Sequence, residues 1–177
     1  MTDSEGRTTG YHLFLEPAGT LREELQEMIR TLAAAYHGPV FAPHVTLLAE
    51  IPKTDEAGLI EKSRELASQT APFEITLEGA QIEDTYYHAL YLPIESPPLA
   101  ALYERARALF AMPAEDYRPH LSLLYGNYSA AEKAAVLHDV EKYQGRTFTA
   151  DHVTLYETSG TPHEWRKVRE FPFINAA

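Results

Sequence analysis

Apolar and polar positions along this chain recur with readable periods, and they lay out strands and helices in alternation. Tyr11 to Glu16 reads as a strand. Leu21, Leu25, Met28, Ile29 and Leu32 then recur at helical spacing behind Thr20 and Glu23, which have the form of a capping box, and Gly38-Pro39 stops the run. A strand around His44 ends near Pro52. A helix over roughly residues 55–70, carried by Leu59 and Leu66, leads into a third strand, Phe73 to Glu83, with alternation at Phe73, Ile75 and Leu77. The pattern then begins again. Tyr87 to Ile94 is strand-like, Pro97-Pro98 opens a helix carrying Leu99, Leu102, Ala106, Leu109 and Phe110, and Tyr117 to Gly126 holds a short buried strand. Ser129 and Glu132 form a capping box for a helix through Ala135, Val136, Val140 and Tyr143, closed by Gly145. Thr147 to Thr158 and Trp165 to Phe173 are two further strands, joined by a turn-rich segment. The expectation is an α+β chain of about four helices and seven strands with no long linker.

The second half repeats the first. Pro119-His120-Leu121-Ser122-Leu123 follows Pro43-His44-Val45-Thr46-Leu47 by 76 residues, and Tyr87-His88 follows Tyr11-His12 by the same 76. Phe148 follows Phe73 by 75. Three anchors at one offset, to within a residue, predict two copies of a single unit, about 11–84 and 86–158, with a C-terminal strand at about 165–173.

Composition narrows the class. With 177 residues and 45% apolar content the chain is globular. A formal charge of −11 argues against phosphate contacts along long RNA or DNA, while leaving room for a small anionic ligand. The absence of cysteine removes thiolate nucleophiles, disulfides and Cys-ligated zinc. No apolar run reaches membrane-spanning length and Met1 to Gly10 is polar, so a cytoplasmic protein is expected.

Within each copy of the motif, strand alternation puts the histidine and the hydroxyl two residues later on one face, and the apolar residues between and beyond on the other. Two imidazoles with ordinary pKa values near 6.5 can divide acid and base roles at neutral pH. Thr46 and Ser122 can hydrogen-bond phosphoryl oxygens. A phosphodiester suits such a pair. The spacings offer no metal-binding motif, no serine-nucleophile elbow, no phosphate loop and no Rossmann glycines. His152-Val153-Thr154 imitates the motif but lacks the preceding proline and falls opposite Leu77 in the repeat, so it is set aside. His12 and His88 read as structural or cleft-lining, His37, His138 and His163 as solvated, and Arg118 either as a cation near the phosphate or as a surface arginine.

The paired Pro-His-Val-Thr-Leu and Pro-His-Leu-Ser-Leu resemble the signature of the two-histidine (2H) phosphoesterase superfamily, which includes LigT-like proteins. His120 to Asn127, with Gly38-Pro39 shortly before Pro43-His44, is most similar to the plant and fungal cyclic phosphodiesterases. The resemblance implies a bilobal, duplicated LigT-like α+β fold, with two antiparallel sheets around a central cleft flanked by about four helices, in one domain. It implies hydrolysis of nucleoside 2′,3′-cyclic phosphates to 2′-phosphates, or of ADP-ribose 1″,2″-cyclic phosphate to the 1″-phosphate, with no cofactor or metal. The expected partner is a small nucleotide cyclic phosphate, and the expected state is a monomer. Carried over by position, His44 and His120 are the catalytic pair, Thr46 and Ser122 hold the phosphoryl group, Tyr125 helps hold water, and Phe14 and Tyr87 lie near the base. Strict alternation would turn Tyr125 away from His120, so its role requires a bulge near the strand end. The alternatives are a LigT-like enzyme acting on RNA ends or 2′,5′ linkages, and a non-catalytic nucleotide-binding module.

Overall fold

Leu21, Leu25, Ile29 and Leu32 are buried along one side of helix α1 (Gly19–Tyr36), as their spacing requires. In the computed structural model, which describes residues 6–174, this helix and four others cover an antiparallel sheet. The strands are β1 (Tyr11–Leu15), β2 (Val45–Ile51), β3 (Phe73–Leu77), β4 (Leu90–Glu95), β5 (His120–Leu124), β6 (Thr147–Ala150), β7 (His152–Glu157) and β8 (Arg166–Pro172). The remaining helices are α2 (Glu56–Ser68), α3 (Pro97–Leu109), α4 (Ala130–Ala135) and α5 (Leu137–Val140). The sheet order is β6-β3-β4-β5-β2-β1-β7-β8. No described helix is long and apolar enough to cross a membrane.

The two expected sheets are therefore two four-stranded halves of one sheet, joined where β2 meets β5 through the pair Val45–Leu121. Reading outward from that joint, the halves run β2, β1, β7, β8 and β5, β4, β3, β6, as a pseudo-twofold axis would arrange them. Each unit lends one strand to the other half, β3 from the first and β7 from the second. β3 pairs with β4 and β6, and β7 pairs with β1 and β8. Helices cross in the same way, since α1 packs on β5 and α3 on β2. The halves are thus interlocked and share a core that includes Leu13, Leu15, Leu47, Leu92, Leu121 and Leu123.

Several local expectations change. Helix α1 begins at Gly19 with extended Ala18 as its N-cap, so Thr20 lies inside the helix and the Thr20/Glu23 capping box does not form. The Ser129/Glu132 box does form, but the helix after it breaks at Val136 into α4 and α5. Thr147 to Thr158 is two strands, divided at Asp151, because β6 pairs with β3 while β7 must reach β1. Among the described residues this gives eight strands and five α-helices. Phe148 also proves not to be the counterpart of Phe73. It sits on β6 beside Ile75 of β3, and the strand equivalent to β3 is β7. Finally, Tyr87 lies in a short 3-10 turn, Tyr86–His88, and its strand starts only at Leu90.

Candidate active site

Val45 is paired with Leu121 across the antiparallel joint. Stepping one residue each way along both strands sets His44 opposite Ser122 and Thr46 opposite His120. Val45, Leu47, Leu121 and Leu123 pack into the core, so the histidine and hydroxyl positions share the other face. The repeat thus brings both motifs to the middle of the sheet.

Each ring is held in the same way. His44 Nδ1 lies 2.7 Å from the Ala42 carbonyl oxygen, and His120 Nδ1 lies 2.9 Å from the Arg118 carbonyl oxygen. A carbonyl only accepts, so Nδ1 carries the proton and donates, which leaves Nε2 of each neutral ring as its acceptor nitrogen. In both motifs the carbonyl comes from two residues before the histidine, across Pro43 in one copy and Pro119 in the other. Phe14 of β1 stacks on His44 with ring centroids 3.8 Å apart, and Trp165 meets the same ring edge-on at 6.1 Å. His120 packs against His88 at 4.3 Å and Tyr91 at 5.4 Å.

Both histidines open on a cavity of about 400 Å³, also lined by Thr8, His12, Phe14, Thr46, Ala49, Glu50, Tyr87, His88, Glu115, Tyr125 and Trp165. Burial holds its imidazoles neutral. Desolvation pushes His120 down to about 4, helped by His88, His44 and Arg118. Desolvation also lowers His44, against an opposing pull from the Ala42 carbonyl and the Glu16 carboxylate. His12 falls to about 3, by desolvation and then by His44. His88 is lowered for the same first reason. An anion entering this cavity would favour the protonated form of an adjacent imidazole, so a phosphate and a proton would bind together.

The family model for the 2′-5′ RNA ligase superfamily matches residues 17–162, which hold both motifs. The chain belongs to this superfamily. Its members are LigT-like two-histidine phosphoesterases, and the chain is by family a phosphoester-acting enzyme. TT0787 of Thermus thermophilus superposes with a TM-score of 0.64 at 17% identity, over 94% of this chain and 99% of that one. Escherichia coli LigT complexed with 3′-AMP gives 0.60 at 18% identity, over 93% and 98%. Kluyveromyces marxianus Usb1 gives 0.52 at 11%, over 92% and 97%. At these identities the likeness is one of fold. No curated protein sequence matches the chain.

Within this 2H framework the remaining site residues divide. Thr46 faces the cavity. Ser122 is buried, and its hydroxyl donates to the Tyr87 carbonyl at 2.8 Å while interacting with the Tyr125 hydroxyl. The two hydroxyls of the repeat are therefore not equivalent. Tyr125 does reach the cavity, because one step on β4, from Leu90 to Tyr91, spans two on β5, from Leu124 to Ser122, and this bulge reverses the alternation. Burial raises its phenol far above the ordinary range, so it serves as a donor. Tyr125 is fixed by stacking on Phe41 at 3.8 Å and by the edge of Tyr87 at 4.9 Å.

Phe14 and Tyr87 both line the cavity, as do His12 and His88. Arg118 is bound to Glu83 at 2.9 Å. His37, His138 and His163 are exposed. Sequence reasoning missed Phe41, Glu50, Glu115 and the wall-forming role of Trp165, whose indole N–H donates to Thr8 Oγ1 at 3.1 Å. Trp165 lies outside the repeat, and nothing local marks it as a neighbour of His44.

Among the described residues, Glu16, His152 and Glu170 are the group whose ligand atoms come close enough for a metal ion. They lie outside the cavity lining, and the Lys167 ammonium already sits 3.3 Å from Glu16 and 2.7 Å from Glu170. Thr154 on the same strand as His152 donates to Glu16 at 2.8 Å, so the third His-x-Thr sequence is tied into an ion-pair network rather than the cavity.

Proposed function

We propose that this 2H enzyme is a metal-independent cyclic phosphodiesterase. It hydrolyses nucleoside 2′,3′-cyclic phosphates to 2′-phosphates, with ADP-ribose 1″,2″-cyclic phosphate as the related substrate of that branch. The observation that carries the reading is the symmetric pair of imidazoles, each with Nδ1–H tied to the chain and Nε2 as its acceptor, on one small cavity. A cyclic phosphate is compact enough for that space, and its ring opening needs one proton removed from water and one delivered to the departing oxygen.

The charges around the two rings differ in sign. Glu16 favours a proton on His44, whereas Arg118 and His88 disfavour one on His120. This supports His120 as the base that takes a proton from the attacking water and His44 as the acid for the 3′ oxygen. Thr46 would donate to a phosphoryl oxygen. Ser122 acts through Tyr125, whose hydroxyl it holds near the water. Phe14 and Tyr87 offer aromatic surface to the base, which suits tolerance of base identity.

The competing reading within the superfamily is action on RNA ends. An equimolar mixture of adenosine 2′,3′-cyclic phosphate and an oligoribonucleotide ending in a 2′,3′-cyclic phosphate separates the two. The mononucleotide is expected to be consumed first, and preferential loss of the oligonucleotide would overturn the assignment.

A further inference from the structure

We infer that Tyr117 is a positioning residue for Thr46: its hydroxyl, bonded to the Thr46 carbonyl, sets where the Thr46 side chain stands in the reaction cavity. The inference rests on the functional reading above, in which Thr46 donates to a phosphoryl oxygen, and adds to it a residue that acts without touching substrate.

The first observation is a contact between the halves. Tyr117 precedes β5, yet its hydroxyl donates to the Thr46 carbonyl oxygen of β2 at 3.0 Å. Burial raises its phenol far above the ordinary range, with Tyr103 adding to the effect, so near neutral pH the group is a donor. Its ring is stacked on Tyr103 of α3, with centroids 4.0 Å apart and planes 2° from parallel. The Tyr103 hydroxyl in turn accepts from the Glu115 N–H at 3.3 Å, on the same segment as Tyr117. A ring held on that platform has little freedom, and its bond falls on the residue whose side chain faces the cavity.

β2 needs support at this point. Among the described residues, β1 and β2 share four aligned pairs, Phe14–Thr46 among them, and β4 and β5 share four, whereas β2 and β5 share the single pair Val45–Leu121. Toward the start of β5 come His120 and then Pro119, which has no N–H to continue a ladder. The Tyr117 phenol supplies a donor on that side. It fixes the peptide plane that follows Thr46, and with it the direction from which the Thr46 side chain leaves the strand.

The second observation comes from the repeat. Tyr117 stands 76 residues after Phe41. Phe41 stacks on Tyr125, just beyond β5, at 3.8 Å. The aromatic residue three before each histidine thus reaches a site residue of the other motif. The residue after it, Ala42 or Arg118, gives the carbonyl that holds the histidine of its own motif. One short segment in each copy therefore fixes its own imidazole and braces the opposite motif. The second copy alone has a hydroxyl on that aromatic, and it serves Thr46. Ser122, the other hydroxyl of the repeat, is fixed through its own side chain on the Tyr87 carbonyl at 2.8 Å.

The test reads Thr46 directly, and then through turnover of adenosine 2′,3′-cyclic phosphate. In ligand-free wild type, NMR three-bond couplings should show Thr46 in a single χ1 rotamer. In Tyr117→Phe, which keeps the ring on Tyr103, they should average, and the Thr46 carbonyl carbon resonance should move upfield. The kcat of Tyr117→Phe should fall by roughly three- to tenfold with KM within about twofold, because a phosphoryl contact strengthens as charge grows in the transition state. In a Thr46→Ala background the same change should cost less than about twofold, since no hydroxyl remains to be placed. Tyr103→Phe, which loses a hydrogen bond of the same segment without touching Thr46, should keep the wild-type rate. A Thr46 rotamer unmoved in Tyr117→Phe, a kcat loss that multiplies fully with Thr46→Ala, or an equal loss in Tyr103→Phe overturns the positioning role and leaves the hydrolase reading standing. If wild type turns over no cyclic phosphate, the hydrolase reading falls, and the rotamer alone decides whether Tyr117 places Thr46.

Discussion

Val45 lies directly across the sheet from Leu121, and this pairing places each motif's histidine opposite the other motif's hydroxyl. Both side chains are fully buried on the face away from the cavity. The site's symmetry is thus held by two apolar residues that touch no substrate.

Leu121→Ala is expected to cost about 2–5 kcal/mol, since it empties a buried volume at the joint between the halves. Urea unfolding gives the number. A loss under about 1 kcal/mol would mean that the joint is held elsewhere.

Much of this was legible in the sequence, and the failures have identifiable causes. The motif faces could be read because β2 and β5 alternate cleanly through Val45, Thr46, Leu121 and Ser122. The offset of 76 between the two motifs is read directly from the chain, and the motifs meet where β2 pairs with β5. The exchange of β3 and β7 between halves could not be read this way, because strand partners are chosen by long-range packing that leaves no local period. Phe148 misled for that reason: it packs beside its supposed counterpart's strand. Tyr125 could be placed only conditionally, because a bulge leaves no signature in a run such as Leu121 to Leu124. Glu50 was overlooked because nothing in Leu48-Ala49-Glu50 announces a positive φ.

Replacing His44 or His120 with alanine should lower kcat by roughly a hundred- to ten-thousandfold each, the range of general acid–base contributions. Circular dichroism should remain that of wild type. Folded single variants that retain near wild-type turnover would contradict the assigned roles.

Tyr125→Phe removes the hydroxyl that meets Ser122 but keeps the ring stacked on Phe41. Turnover should fall by roughly tenfold, with little change in stability, as expected for one lost hydrogen bond at the site. Ser122→Ala should reproduce part of that loss through Tyr125. An unaffected rate in both would remove this pair from the mechanism.

The cavity histidines also set the acid stability. His12 and His120 titrate near 3 and 4 in the folded protein, below the 6.5 of an unfolded chain, so the unfolded state binds protons first. Their contribution is complete above about pH 6.5 and is lost as pH falls from there toward the folded values. For buried His12 the slope approaches ~1.4 kcal/mol per pH unit. Glu16, whose carboxylate is depressed chiefly by Thr154 and Lys167 against the opposing effect of burial, gives up its share only below about 4.5. Stability should therefore decline between pH 6.5 and 5, and His12→Gln should flatten that decline. A wild-type urea midpoint that stays constant across this interval would contradict the neutral burial of the imidazoles.

The most direct test follows adenosine 2′,3′-cyclic phosphate by phosphorus NMR in excess EDTA. The account predicts that the cyclic resonance is replaced by adenosine 2′-phosphate alone, at an undiminished rate. Complete loss of turnover on chelation, or formation of the 3′-phosphate instead, would contradict a metal-free pair of histidines working in the assigned sense.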